Sequence, residues 1–168
     1  MLVRRLHAED LEAAYALRLH ALEHAPDAFL VTLAEERERG SDGFAEILDR
    51  RDEDHVILGA FAEDELVAQV GVFRPERTKI RHRALIWGMY VQPERQGQGI
   101  GGALLDRAIA HARGLGVESV HLSIEHGNVA ARRLYESRGF EMWGVEPQAM
   151  KSDGEYLDEA HLRLVLAS

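Results

Sequence analysis

A chain of 168 residues with 46% hydrophobic and 29% charged side chains has the material for one packed core, which excludes an intrinsically disordered protein. It holds no cysteine, which removes disulfides, thiolate metal ligands and a cysteine nucleophile. Its 29 acidic against 20 basic residues leave a formal charge of −9, the wrong sign for gripping a nucleic-acid backbone.

The opening stretch MLVRRLHAEDLEAAYALRLH has no long apolar run, and no window is apolar enough to span a bilayer. The expectation is a cytoplasmic protein with no membrane partner. LVRRL (2–6) reads as a short strand. From Glu9 to about His24, Leu11, Ala14, Tyr15, Leu17, Arg18 and Leu22 recur at helical spacing, and Pro26 ends that helix. His20 and His24 stand one turn apart, but no third ligand accompanies them, so they read as a solvated helix face. PDAFLVTLAEE reads as a loop entering a second helix over roughly 33–50, broken by GSDG at 40–43.

The rhythm then changes. HVILGAFA (55–62) and ELVAQVGVF (65–73) flank the turn Glu63-Asp64 as a hairpin, and ALIWGMYV (84–91) follows as a central strand. Arg74, Arg77, Lys79, Arg81 and Arg83 form a basic island between them, read as a solvated connection. Ala103, Leu104, Leu105, Ala108, Ile109 and Ala112 make the apolar stripe of a helix ending at Gly114 and Gly116. VESVHLSI (117–124) is a strand, Asn128 caps a helix that Gly139 stops, and 140–147 and 155–166 supply two last strands. The order β-α-α-β-β-β-α-β-α-β-β predicts one mixed α/β (α+β) domain over residues 1–168.

Seven of the 15 glycines fall between Gly88 and Gly116, four of them within Gly97–Gly102 directly ahead of a helix. Bare backbone at a helix N-terminus leaves several N–H groups pointing outward, where the helix dipole adds positive potential, and this arrangement takes a phosphate. A tight turn with no ligand would need only one or two glycines. Gly97, Gly99 and Gly102 also satisfy the dinucleotide pattern G-x-G-x-x-G, with Glu125 as a candidate ribose acid. That pattern follows its strand directly and belongs to a first βαβ unit, whereas Pro93, Glu94, Arg95 and Gln96 intervene here. No Lys-Ser or Lys-Thr pair follows the glycines, which excludes a Walker loop.

The run Val91-x-Pro93-Glu94-x-Gln96-Gly97-Gln98-Gly99-Ile100-Gly101 resembles the acyl-CoA-binding signature of the GNAT superfamily of N-acetyltransferases, with Gln96, Gly99 and Gly101 on its three defining positions. Asn128, Ala131, Leu134, Tyr135, Gly139 and Phe140 resemble the second half of that signature, one helix and one strand further on. The resemblance implies a mostly antiparallel central sheet whose fourth and fifth strands splay apart, flanked by about four helices. It implies acetyl-CoA as co-substrate and no metal: Gln96, Gly97, Gln98, Gly99, Ile100, Gly101 and Gly102 would cradle the pyrophosphate. The main chain of Met89, Tyr90 and Val91 would meet the pantetheine arm and the thioester, with Asn128 close by. Trp87-Gly88-Met89 is the expected place for a bulge.

By the same resemblance Tyr135 is the general acid that protonates the coenzyme A sulfur; taken alone it reads as a core aromatic. Amine transfer also needs a base, since an alkylamine is mostly protonated at pH 7. Some relatives carry a glutamate on the fourth strand, but RHRALIWGMY holds no acid. Glu125 or His126, at the end of the next strand, would then relay the proton through water. Phe29, Glu35, Trp143 and Tyr156 are candidates for the acceptor side. The scattered histidines offer no H-E-x-x-H or similar metal spacing. The expected acceptor is a small-molecule or peptide amine, and pairing through the C-terminal strands would make a homodimer. A non-catalytic acyl-CoA sensor on the same scaffold is the competing reading.

Overall fold

The computed structural model describes residues 1–167. Its regular elements are β1 (Leu2–Arg5), α1 (Leu11–His24), α2 (Leu33–Arg39), α3 (Asp42–Leu48), β2 (His55–Ala62), β3 (Glu65–Phe73), β4 (Arg83–Val91), α4 (Ile100–Gly114), β5 (Ser119–Glu125), α5 (Val129–Glu136), β6 (Glu141–Ser152) and β7 (Glu155–Val165). Where one interrupted helix was predicted over 33–50 there are two, because Gly40 turns the chain at φ 74°. The seven strands form one sheet in the order β1-β2-β3-β4-β5-β7-β6, antiparallel throughout except for the β4–β5 pair.

Both faces of the β2–β3–β4 region are covered, which is why β2 and β3 read as nearly continuous apolar runs. The stripe Leu104, Leu105, Ala108 and Ala112 of α4 packs on Val56, Leu58, Val70, Val72 and Ile86. On the opposite face Ala14, Leu17 and Ala21 of α1, with Phe44 and Leu48 of α3, cover Ile57, Leu66 and Tyr90. Each fully buried leucine contributes about 1.5–3 kcal/mol. The hairpin turn is tight: Glu63 and Asp64 both take positive φ, 52° and 68°, so the turn follows the right-handed twist of its strands. β6 lies outermost, carries Pro147, and loses register with β7 at Met142/Gly144 and again at Glu146/Met150.

The basic island is partly a structural clamp. Arg74 Nε and Arg81 Nη2 donate to opposite oxygens of Asp54, at 2.8 and 2.9 Å, and Arg74 also reaches the Leu115 carbonyl.

Arg4 binds Asp10 through both carboxylate oxygens at 2.8 Å, and the His7 amide donates to one of them. These bonds, the Arg4 pair above all, hold the Asp10 pKa below its usual value. A depressed carboxylate pKa contributes stability above the unfolded-state value near 4, lost as pH falls through the folded value. Asp10→Asn is therefore expected to lower unfolding free energy by about 1–2 kcal/mol at pH 7. In urea titrations the gap from the unchanged protein should close below about pH 3.

Candidate active site

β4 and β5 are bonded only at Arg83↔Ser119, Ala84↔Val120 and Leu85↔His121, and beyond Leu85 they part. What parts them is a bulge in β4. The β3–β4 register jumps between Gln69↔Tyr90 and Gly71↔Trp87, and Gly88 lies there at φ 63°. A side chain at that φ is strained, so the glycine permits the bend. Opposite, the Trp87 indole lies flat on Gly71, where a Cβ would meet Cε2 at 2.0 Å.

At one end of the gap stands the glycine turn. Gly97 and Gly99 take φ 75° and 80°, and Gly99 is the N-cap of α4 with no side chain capping it. Among the described residues no acceptor meets the amides of Gly97 through Gly102, while the Gln96 amide bonds Pro93 O and the Gln96 side chain bonds Val91 O. Gly102 is buried beneath Arg138, which Asp106 holds at 3.1 Å; a Cβ there would stand 2.3 Å from the guanidinium. Exposed N–H groups on an α-helix of 15 residues suit an anion.

α5 supplies the next group. Asn128 Oδ1 accepts from the Ala131 amide at 3.1 Å and starts the helix. Two turns on, Tyr135 is 4% exposed, its ring set edge-on to Phe140 at 5.6 Å. Burial pushes its phenol pKa well above the ordinary value near 10. Tyr135, Asn128, Met89 and Glu125 line a narrow passage of about 100 Å³ through the gap.

The passage opens on the α1 side into a wider cavity of about 480 Å³, which shares Phe29, Trp87, Gly88, Ser123 and Glu125 with it. Phe29 comes from the α1–α2 loop, and the Arg18 guanidinium lies 5.0 Å above its ring centroid. Trp143 also lines this cavity.

Several predicted residues lie elsewhere. Glu35 is not among the residues lining either cavity: its carboxylate accepts from the amide and hydroxyl of Thr32, and Thr32 Oγ1 accepts from the Glu35 amide, a reciprocal cap of α2. His126 does not line them either; its amide donates to Asp158 O and its buried Nδ1 has no partner among the described residues. Tyr156, exposed on β7, stacks under Lys151 instead. Tyr90 points to α1, where its hydroxyl meets His20 Nδ1 at 2.9 Å, so His20 is part of a contact and only His24 lies on an exposed face. Glu125 does reach the cleft, with Oε1 accepting from the Gly127 amide at 2.8 Å.

The sequence reading missed two groups. Arg18 and Glu36 form an ion pair at 3.6 Å with side chains only 13% and 4% exposed, and Arg18, which lines the wide cavity, has no partner for its buried Nε among the described residues. Desolvation lowers the Arg18 pKa, with Glu36 opposing. Their separation of 18 residues, across a loop, gives no local pattern. The second group is His161 on β7 with Ser123, Glu146 and Glu159 around it, drawn together by strand register alone.

Comparison with known proteins agrees with this geometry. The profile of the Acetyltransferase (GNAT) family matches residues 12–140. The chain is 33% identical over 135 residues to mycothiol acetyltransferase of Propionibacterium freudenreichii, covering 79% of this chain and 40% of that protein. It is 37% identical over 78 residues to the L-amino acid N-acyltransferase MnaT of Escherichia coli, 46% of this chain and 45% of the other. The chain thus spans less than half the length of these curated relatives. Among solved structures, ribosomal-protein-alanine N-acetyltransferase of Brucella melitensis superposes with TM-score 0.80 at 27% identity, covering 99% of this chain and 100% of that one. YncA of Salmonella typhimurium, solved with acetyl-CoA, shares the fold at TM-score 0.81 and 24% identity, over 100% and 95% of the two chains. Among the described residues no helix is long and apolar enough to cross a membrane.

Proposed function

The chain belongs to the GNAT acetyltransferase family, and from that premise we propose that it moves an acetyl group from acetyl-CoA to a primary amine by direct attack in a ternary complex. One observation carries the reading: the β4–β5 gap has a turn of unbonded amides at one end, the buried Tyr135 beside it, and a wide cavity opening at the other side. The amides of Gly97 to Gly102 hold the diphosphate. The pantetheine arm takes the place of the missing strand pairing beside Met89 to Val91. The amine enters from the wide cavity; its nitrogen bonds the thioester carbonyl carbon, the carbon–sulfur bond breaks, and Tyr135 gives the sulfur its proton.

The acceptor is an amino compound bearing an anionic group, of the amino-acid type. Arg18 and Arg83 both line the wide cavity and bring two guanidinium cations to it. A carboxylate pairs with such groups, and a charge-assisted bond contributes about 1.5–3 kcal/mol. Thiol release from acetyl-CoA, measured over a panel pairing each L-amino acid with its decarboxylated amine, tests both levels. An L-amino acid should exceed its amine by about tenfold or more in kcat/KM. Equal rates would overturn the anion requirement, and no release with any amine would overturn acetyl transfer.

A further inference from the structure

An acceptor that arrives as an ammonium needs a base, and the predicted candidates leave that place open: β4 has no acid, Glu125 is turned onto the Gly127 amide, and His126 lies outside both cavities. His161 lines the wide cavity from the middle of β7. Its two ring nitrogens face opposite kinds of partner. Nε2 is 3.3 Å from Glu146 Oε2 and 3.8 Å from Glu159 Oε1, while Nδ1 is 2.8 Å from Ser123 Oγ. Trp143 stacks on the ring at 5.2 Å and fixes its plane.

The tautomer follows from electrostatics. A bare lone pair on Nε2 would face two carboxylates, so Nε2 keeps its hydrogen and donates to Glu146. In the neutral ring Nδ1 is then the acceptor, and the Ser123 hydroxyl must donate to it. That leaves the lone pairs of Ser123 Oγ free, and Ser123 lines both the wide cavity and the narrow passage.

We propose that Ser123, His161 and the carboxylates of Glu146 and Glu159 form the proton relay that frees the acceptor amine. The inference rests on the acetyl-transfer reading above. The ammonium gives one proton to Ser123 Oγ as that hydroxyl passes its own to His161 Nδ1, leaving a neutral amine and an imidazolium between two carboxylates. The amine nitrogen then bonds the carbonyl carbon and the carbon–sulfur bond breaks. Tyr135 gives its proton to the sulfur and is made whole, through solvent, by the second proton leaving the nitrogen, and the imidazolium releases the first to water. The remaining groups facing the cavity do not compete. His121 is held below its ordinary pKa by burial, then by Arg83, Arg163 and His82, and its Nε2 is bound to Ser119. Arg18 and Arg83 are permanent cations, and Glu125 is tied to its own turn.

Two measurements test the relay. With an L-amino acid that the panel shows to be accepted, His161→Gln should lower kcat/KM about a hundredfold at pH 7. The defect should shrink toward pH 10, where the amine sheds its own proton, and the acetyl-CoA Kd should stay unchanged. Ser123→Ala should show the same pH signature. An acidic limb unaltered in His161→Gln, or activity lost to a chelator and restored by zinc, would overturn the relay. The second measurement needs no acceptor: nitrogen-15 spectra of the full chain should show His161 as the Nε2–H tautomer. An Nδ1–H tautomer would overturn it. If no amine releases thiol the acetyl-transfer reading fails, and these spectra still judge the relay.

Discussion

Replacing Tyr135 with phenylalanine should reduce kcat by about 10²–10³-fold and leave acetyl-CoA affinity within about twofold. The ring is packed edge-on to Phe140 and the residue is 4% exposed, so phenylalanine keeps the packing and removes one oxygen. Tyr135 lines the narrow passage, where a departing sulfur would need a proton. Burial raises the phenol pKa, so the proton is present at every pH at which the protein would work. The phenol should therefore add no alkaline limb to the wild-type profile below pH 10. Steady-state thiol release and calorimetric titration of acetyl-CoA check the two halves. Equal kcat in both proteins would remove Tyr135 from the chemistry.

Glu36→Ala should lower stability by about 3 kcal/mol, because it strands the Arg18 guanidinium in a poorly solvated site. For a chain of this size that is a fall in Tm of about 6–12 °C. The cost belongs to the unpaired charge and not to the bond itself, so Arg18→Met added to Glu36→Ala should recover most of the loss. Acceptor KM should rise in both variants, since α2 anchors the loop that carries Phe29 and Arg18 is itself a cavity wall. A scanning-calorimetry difference under about 1 kcal/mol for Glu36→Ala would show that water already solvates Arg18.

What the sequence discloses here is whatever is encoded within a few neighbouring positions. The strand order, the bare backbone of the glycine turn and the Asn128 cap all depend on local backbone demands, and all are found in the structure. The Gly88 bulge was legible for the same reason. Glu35 misled because its spacing from Thr32 fits a cap as well as a binding loop, and the cap is what forms. Arg18–Glu36 and Ser123–His161 were invisible because each joins residues 18 and 38 positions apart. Only the α1–α2 packing and the β5–β7 register bring them together. Nothing in the composition of EYLDEAHLRLVL marks His161 as different from the other eight histidines.

The outermost strand has a consequence for how the protein behaves in a crowded solution. An edge strand of 12 residues is ordinarily a template onto which a stray extended chain adds, one amide after another. β6 interrupts that template: Pro147 offers no N–H, Gln148 turns aside at φ 52°, and its register with β7 breaks on both sides of the middle. Sheet growth at this rim is denied a continuous ladder, which guards against fibrillar aggregation without any covering helix.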